Sequence, residues 1–232
     1  MRKSFFAGMQ AGIPICVGYL AVSFGFGAMA IAKGLAFWQA VLISATNLTS
    51  AGQFAGLTVI TTAATLFEMF LTQLVINSRY GLMSLALGQK FGPAVGTGKR
   101  LAAAFFNTDE VFALGMGQKK LTVPFFLGAG TVAAIGWLGG TAAGALMGSL
   151  LPESIRAALG VLLYGMFIAI VVPQAREEKP VLLCVVLALV FSCLFTWVPG
   201  LKEISDGLAI VFCTVAAAAI CAAVCPVQEV QE

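Results

Sequence analysis

An all-α bundle of membrane-crossing helices, with one or two of its segments broken or re-entrant, is the fold class this sequence predicts. Three observations point there: charge is scarce, apolar stretches recur near bilayer-spanning length, and no polar block separates them. Of 232 residues, 60% are apolar and 10% charged, where a water-soluble domain carries about 25% charged residues. Ten acids and thirteen bases cannot cover a water-facing surface, whereas a lipid-facing one needs almost no charge. At about 20 apolar residues per crossing the chain holds six to eight crossings, read as one transmembrane domain over residues 1–232. The lipid bilayer is its solvent. The net charge of +3 is small and dispersed, which excludes a nucleic-acid footprint.

The first crossing covers residues 11–32. Met1-Arg2-Lys3 resembles the start of a signal peptide, but the apolar run that follows is about twice a signal h-region, so it is expected to be retained. Residues 37–60 come next, interrupted by the polar run Ser44-Ala45-Thr46-Asn47-Leu48-Thr49-Ser50-Ala51-Gly52-Gln53. Residues 66–87 are long enough to cross but hold Glu68, Gln73, Asn77 and Arg79, and residues 101–116 carry Asn107-Thr108-Asp109-Glu110 at their centre. Four cleaner stretches follow at 121–149, 154–172, 181–198 and 207–224.

Lys and Arg favour the cytoplasmic side, and their distribution bears on the number of crossings. With all eight segments spanning, the bases split evenly between the two sides. If 37–60 and 101–116 each enter and leave by one face, Lys90, Lys99 and Arg100 join Arg2, Lys3, Lys119, Lys120, Arg176 and Lys179, leaving Lys33, Arg156 and Lys202 opposite. Charge thus favours six crossings with both termini cytoplasmic. An internal echo points instead to eight segments in two half-repeats, 1–120 and 121–232. Phe5-Phe6-Ala7-Gly8 and Gly18-Tyr19-Leu20 recur as Phe125-Phe126-Leu127-Gly128 and Gly136-Trp137-Leu138, and weak internal symmetry is common in transporters. Both counts are compatible with the sequence.

Gly128, Gly136, Gly140, Gly144 and Gly148 fall at multiples of four, a ridge along one helix side that lets another backbone approach closely. Cys16, Cys184, Cys193, Cys213, Cys221 and Cys225 lie in or beside apolar stretches, where free Cys packs as a small hydrophobe. Neither disulfides, a zinc site nor any other cofactor is expected. With no histidine, there is no nucleophile–His arrangement. Residues 92–100 imitate a phosphate loop but have Pro93 for the first glycine and Arg100 for the magnesium-binding hydroxyl. An enzyme is not expected.

A charged side chain at mid-membrane costs about 2.5–3.5 kcal/mol on insertion scales and is a functional hypothesis by default. Asp109 and Glu110, and after them Glu68, are the proton-carrying candidates; the bland alternative makes Thr108 or Asp109 a helix N-cap at a solvated interface. Arg79 either snorkels near a helix end or pairs with Glu68, Asp109 or a substrate carboxylate. Asn47, Ser50, Gly52 and Gln53 sit where polar residues would loosen a helix. Unwound backbone at membrane depth is tolerated only where it lines a cavity or is buried in protein. Ser23 and Gly25, in Ser23-Phe24-Gly25-Phe26-Gly27, form a weaker version of the same feature.

Taken together, Ser23-Phe24-Gly25, Ser50-Ala51-Gly52-Gln53-Phe54, Ile76-Asn77-Ser78-Arg79-Tyr80, Thr108-Asp109-Glu110 and Phe167-Ile168-Ala169-Ile170-Val171-Val172-Pro173, followed by Val198-Pro199-Gly200, resemble the AzlC family of branched-chain amino acid permeases over nearly the whole chain. Where the family pattern reads Asn-Leu-Arg-His, this chain has Asn77-Ser78-Arg79-Tyr80, so the last position lacks an imidazole. The resemblance implies a multi-pass protein of the cytoplasmic (inner) membrane that exports hydrophobic amino acids such as valine, leucine and isoleucine. It also implies a small AzlD-type membrane partner and efflux driven by the proton gradient. On that reading Asn47, Ser50, Gly52, Gln53, Asn77, Arg79, Ser23 and Gly25 bind substrate, and Asp109, Glu110 or Glu68 carries the proton. A passive facilitator and a non-transporting scaffold are the alternatives.

Overall fold

The computed structural model describes residues 2–148, 168, 171–173 and 175–225. The expected crossing at 154–172 lies almost wholly outside the described residues. The helices are α1 (Arg2–Ala32), α2 (Phe37–Thr46), α3 (Ala51–Thr61), α4 (Leu66–Phe91), α5 (Thr97–Phe105), α6 (Asp109–Met116), α7 (Val123–Met147), α8 (Lys179–Trp197) and α9 (Asp206–Val224), with a 3-10 turn at Leu201–Glu203. Four of them, α1, α7, α8 and Gly207–Val224 of α9, are long and apolar enough to cross a bilayer. At 1.5 Å per residue the 26 residues of α4 reach about 39 Å, enough to cross despite its polar groups. The chain divides into two compact units, residues 1–54 with 77–163, and 55–76 with 164–232.

The first unit is organised by α1 and α7. Cβ atoms added at Gly12, Gly136, Gly140 and Gly144 would meet the backbones of Ala129, Cys16, Leu20 and Phe24 respectively. Since the numbers on the two helices rise together, α1 and α7 run parallel, backbone against backbone. The neighbour of the glycine ridge is therefore within the chain. The contact is reciprocal: Gly8 lies on Phe125 and Gly128 on Phe5, so each of the two echoed strings packs on the other.

α4 runs antiparallel to this pair. Its last residue, Phe91, packs edge-to-face on Phe126 at the start of α7, with ring centroids 5.8 Å apart. Twelve residues earlier, Arg79 reaches Asp109, beside Glu110, which accepts from Tyr19. Tyr19 in turn packs on Trp137 with centroids 5.1 Å apart.

Neither broken segment crosses the pair. α5 leaves the end of α4, where Arg100 donates to the carbonyls of Gly92 (2.8 Å) and Val95 (2.9 Å). Phe106 then packs over Gly130, and Glu110 meets Tyr19 beside Trp137. By Gly115 the chain is back against Phe126 and Leu121. α5 and α6 thus form a hairpin that enters and leaves at the end where α7 begins. From the other end, a Schellman turn closes α1, with Gly34 at φ 90° and Leu35 donating to Ala30. α2 descends until Ser44 meets Thr141, and Leu48 joins the buried cluster of Tyr19, Leu87 and Trp137. Gln53 then returns to Ser44 and Phe54 packs on Phe26, so the start of α3 doubles back along α2. Both hairpin tips lie at the depth of Tyr19 and Trp137. Arg2, Lys3, Lys90, Lys99, Arg100, Lys119 and Lys120 gather at one end of this unit and Lys33 at the other, as hairpins that enter and leave by one face require.

In the second unit α8 and α9 pair antiparallel: Phe195 stacks on Phe212 with centroids 6.2 Å apart, and the Cys221 thiol lies 3.6 Å from the Pro180 carbonyl oxygen. No residue of α8 is buried, as expected of a helix facing lipid. α4 starts in a capping box: the Thr65 N–H donates to Glu68 (2.9 Å), and the Glu68 N–H donates to the Thr65 hydroxyl (3.2 Å). Glu68 also accepts from Ser205, the N-cap residue of α9.

Two outcomes follow. Gly140→Val drives a side chain into the Leu20 backbone and should cost more than the about 1–3 kcal/mol of ordinary overpacking, read as a lower melting temperature in detergent. Gly139→Val, on the same helix with nothing within 4 Å of its Cβ position, should be close to neutral. In a background lacking the six native cysteines, single cysteines at Val95 and Gln118 should react with an impermeant maleimide from the same side of the membrane, and one at Gly34 from the opposite side. Labelling of 95 and 118 from opposite sides excludes the hairpin.

Candidate functional site

The tip of the α5–α6 hairpin gathers the charges. Thr108 occupies the N-cap position of α6 with no side-chain cap bond, and Asp109 and Glu110 form the first helical turn. The cap geometry and the functional geometry coexist: starting a helix here places two carboxylates at its positive end. Asp109 then takes Arg79 at 2.6 Å, with each side chain about two-fifths exposed (41% and 42%). Of the partners considered for Arg79, the structure selects Asp109. The guanidinium also lies 5.0 Å from the centroid of the Tyr80 ring and donates to the Tyr80 hydroxyl at 3.3 Å. Glu110 accepts from the Tyr19 hydroxyl. Asn107, one residue before the cap, donates to Ser84 at 3.2 Å.

Several polar atoms in this region are left over. Arg79 Nε, Asn107 Oδ1, Thr108 Oγ1 and Trp137 Nε1 are buried without a hydrogen-bond partner. A buried donor or acceptor left unpaired costs about 1–3 kcal/mol, so four around one constellation mark a place for water or a ligand. A cleft of about 500 Å³ between α4 and α5, lined by Ser84, Gly88, Gly92 and Arg100 among others, leads from the end of the hairpin to Ser84, the partner of Asn107.

The tip of the α2–α3 hairpin is neutral, and there Ser23 Oγ, Ser50 Oγ and Gln53 Oε1 are likewise buried without a partner. Ser44 and Thr141 share a 2.7 Å hydrogen bond, and Gln53 donates to Ser44 at 3.0 Å. Ser23 is fully buried and lies against Gly140, while Gly25 is half-buried on the same stretch of α1. The Asn47 side-chain Oδ1 accepts from the Thr49 N–H (2.9 Å) and hydroxyl (2.6 Å), so it is engaged in shaping the turn itself. Ser50 takes φ 48°, a left-handed conformation that is uncommon outside glycine and concentrates at functional sites. Gly52 is buried one residue before Gln53. Between the two tips lies the apolar layer of Leu48, Tyr19 and Trp137.

Of the anticipated residues, Arg79, Asp109 and Glu110 are brought together at one tip, and Ser23, Ser50, Gly52 and Gln53 gather around the other. Asn77 lies two residues before Arg79 and so points to another side of α4. Glu68 holds the N-termini of α4 and α9 through Thr65 and Ser205. Tyr19, Tyr80, Ser84, Asn107, Trp137 and Thr141 complete the two tips without having been anticipated as site residues. For Tyr19 and Trp137 a signal existed, since each is the middle residue of one of the echoed strings.

The model of the family described as "AzlC protein" matches residues 14–151, which spans α1 to α7 and so both hairpins. The chain belongs to the AzlC family. It is 27% identical over 195 residues to "Inner membrane protein YgaZ" of Escherichia coli, covering 81% of this chain and 79% of that protein. It is also 29% identical over 177 residues to an uncharacterized membrane protein of Archaeoglobus fulgidus, covering 74% and 76%. A third relative, an uncharacterized membrane protein of Helicobacter pylori, is 25% identical over 204 residues, covering 83% and 86%. No solved structure matches the chain significantly. A helical membrane protein of this family is thus what carries the paired charges.

Glu68→Ala removes the acceptor of the capping box and of Ser205. It should cost about 1 kcal/mol of stability, read as a lower melting temperature; an unchanged melting temperature would contradict the capping role.

Proposed function

We propose that the protein is a secondary transporter, not an enzyme, which exports branched-chain and other hydrophobic amino acids across the cytoplasmic membrane in exchange for protons. Family membership and the membrane fold support a transporter-type role. The observation that carries the finer reading is the Arg79–Asp109 pair at the tip of a hairpin inside a helical bundle, beside the unpaired buried donors Arg79 Nε and Trp137 Nε1. A guanidinium suits a carboxylate, and the acceptors Glu110 and Asn107 Oδ1 suit an ammonium group. Tyr19, Trp137 and Leu48 supply an apolar wall for a branched side chain. The second tip, with Gln53, Ser44 and Thr141, lies across that wall and would complete the pocket from the other end.

We further propose that a small AzlD-type membrane subunit works with this chain, and that the N-terminus is cytoplasmic. Support for the orientation is the crowding of bases at the end of the first unit where α1 and α7 begin.

Purified protein with its small partner, reconstituted in vesicles, should catalyse counterflow of labelled L-valine. It should accumulate valine against its gradient when an opposing pH gradient is imposed. Arg79→Ala should reduce counterflow at least about tenfold, the loss expected from one charge-assisted contact of roughly 1.5–3 kcal/mol. Valine flux equal in wild type and Arg79→Ala removes the substrate assignment, and equilibration without accumulation removes the coupling.

A further inference from the structure

Asp109 and Glu110 are adjacent in sequence, yet their surroundings differ. Asp109 already has its cation, Arg79, at 2.6 Å. Glu110 has none: it accepts from the neutral Tyr19 hydroxyl, and Arg79–Asp109 is the ion pair found among the described residues. The titratable and charged groups around Glu110 are Tyr19 from α1, Arg79 and Tyr80 from α4, and Asp109 from α6. α7 contributes the non-titrating Trp137, which packs on Tyr19, and the chain has no histidine. A carboxylate at membrane depth must be neutralised by something positive. For Asp109 that is the protein's own arginine; for Glu110 it has to be a cation from outside.

From this asymmetry we infer that the two acids have separate tasks: Asp109 is the fixed counter-ion that holds Arg79, and Glu110 is the single position where a proton and the substrate's ammonium group exclude each other. This rests on the amino-acid carrier proposed above. With the site empty, a proton on the Glu110 carboxyl leaves the cluster of Arg79, Asp109 and Glu110 neutral. When an amino acid arrives, its ammonium takes the place of that proton, which passes to the water on the side to which the site is open. Its carboxylate takes the unpaired Arg79 Nε. One proton is then released for each amino acid bound, which is the stoichiometric condition for exchange without leak. Tyr19 is a positioning residue: its hydroxyl aims the Glu110 carboxylate, and its ring is fixed by the edge-to-face contact with Trp137.

Equilibrium binding of L-valine to the purified complex across pH tests the division. In the wild type, affinity should fall as pH falls, with a limiting slope of tenfold per pH unit, because one proton competes for one site. Glu110→Gln should bind more weakly and lose the slope. Glu110→Asp, which keeps a carboxylate, should restore it. Asp109→Asn should weaken binding at every pH while keeping the slope, and Tyr19→Phe should keep the slope but displace the pH at which it begins. A pH slope that survives in Glu110→Gln, or that vanishes in Asp109→Asn alone, overturns the assignment. Valine binding that is absent in the wild type overturns the carrier reading itself, and this inference with it.

Discussion

With no side chain at Gly8, Gly12, Gly128, Gly136, Gly140 or Gly144, the backbones of α1 and α7 touch along most of their shared length, and the rest of the first unit is placed by that contact. Lipid gives little hydrophobic drive for helices to associate, so close packing of small residues has to supply the attraction. Because the two helices are parallel and in fixed register, Tyr19 and Trp137 come to one depth and lock edge-to-face. Each hairpin tip is then built against that aromatic pair, one from either end. A shift of one helix by a single turn would carry Tyr19 about 5.4 Å away, out of reach of Glu110.

The second constraint is that backbone at membrane depth must be satisfied by protein. The two breaks meet it in different ways. At 47–50 the turn is closed by Asn47 on Thr49 and surrounded by Ser44, Thr141 and Gln53, all neutral. At 106–109 the chain instead begins a new helix on two acids, one of them balanced by an arginine from α4. Neutral hydrogen bonds shape the first tip, around which Ser23 Oγ, Ser50 Oγ and Gln53 Oε1 remain buried without a partner. What sets the second tip apart is charge, held beside its own unpaired buried polar atoms.

Much of this was legible in the residues. The polar run from Ser44 to Gln53 and the string Asn107-Thr108-Asp109-Glu110 marked both breaks, because those residue types disfavour an uninterrupted apolar helix. The distribution of Lys90, Lys99 and Arg100 indicated that these segments return to their own side. The glycine ridge announced a close neighbour but not its identity, since the facing positions on α1 include Cys16, Leu20 and Phe24, which carry no pattern of their own. Tyr19 was marked only by its place in an echoed string: a lone tyrosine in an apolar stretch looks like packing until Trp137 and Glu110 are brought to it by register. Glu68 shows the converse. Its charge stood out, whereas the Thr65-x-x-Glu68 capping box that explains it is a local pattern that could have been read directly.

The account stands or falls on the α5–α6 tip reaching a water-filled cavity that substrate also enters. A single cysteine at Thr108, in a protein stripped of its native thiols, measures this through its reaction with a small charged thiosulfonate in intact vesicles. The account predicts modification from one side that slows several-fold in the presence of L-valine, while a cysteine at the lipid-exposed Leu189 stays unreactive throughout. No modification at 108 from either side, or a rate indifferent to valine, would contradict it.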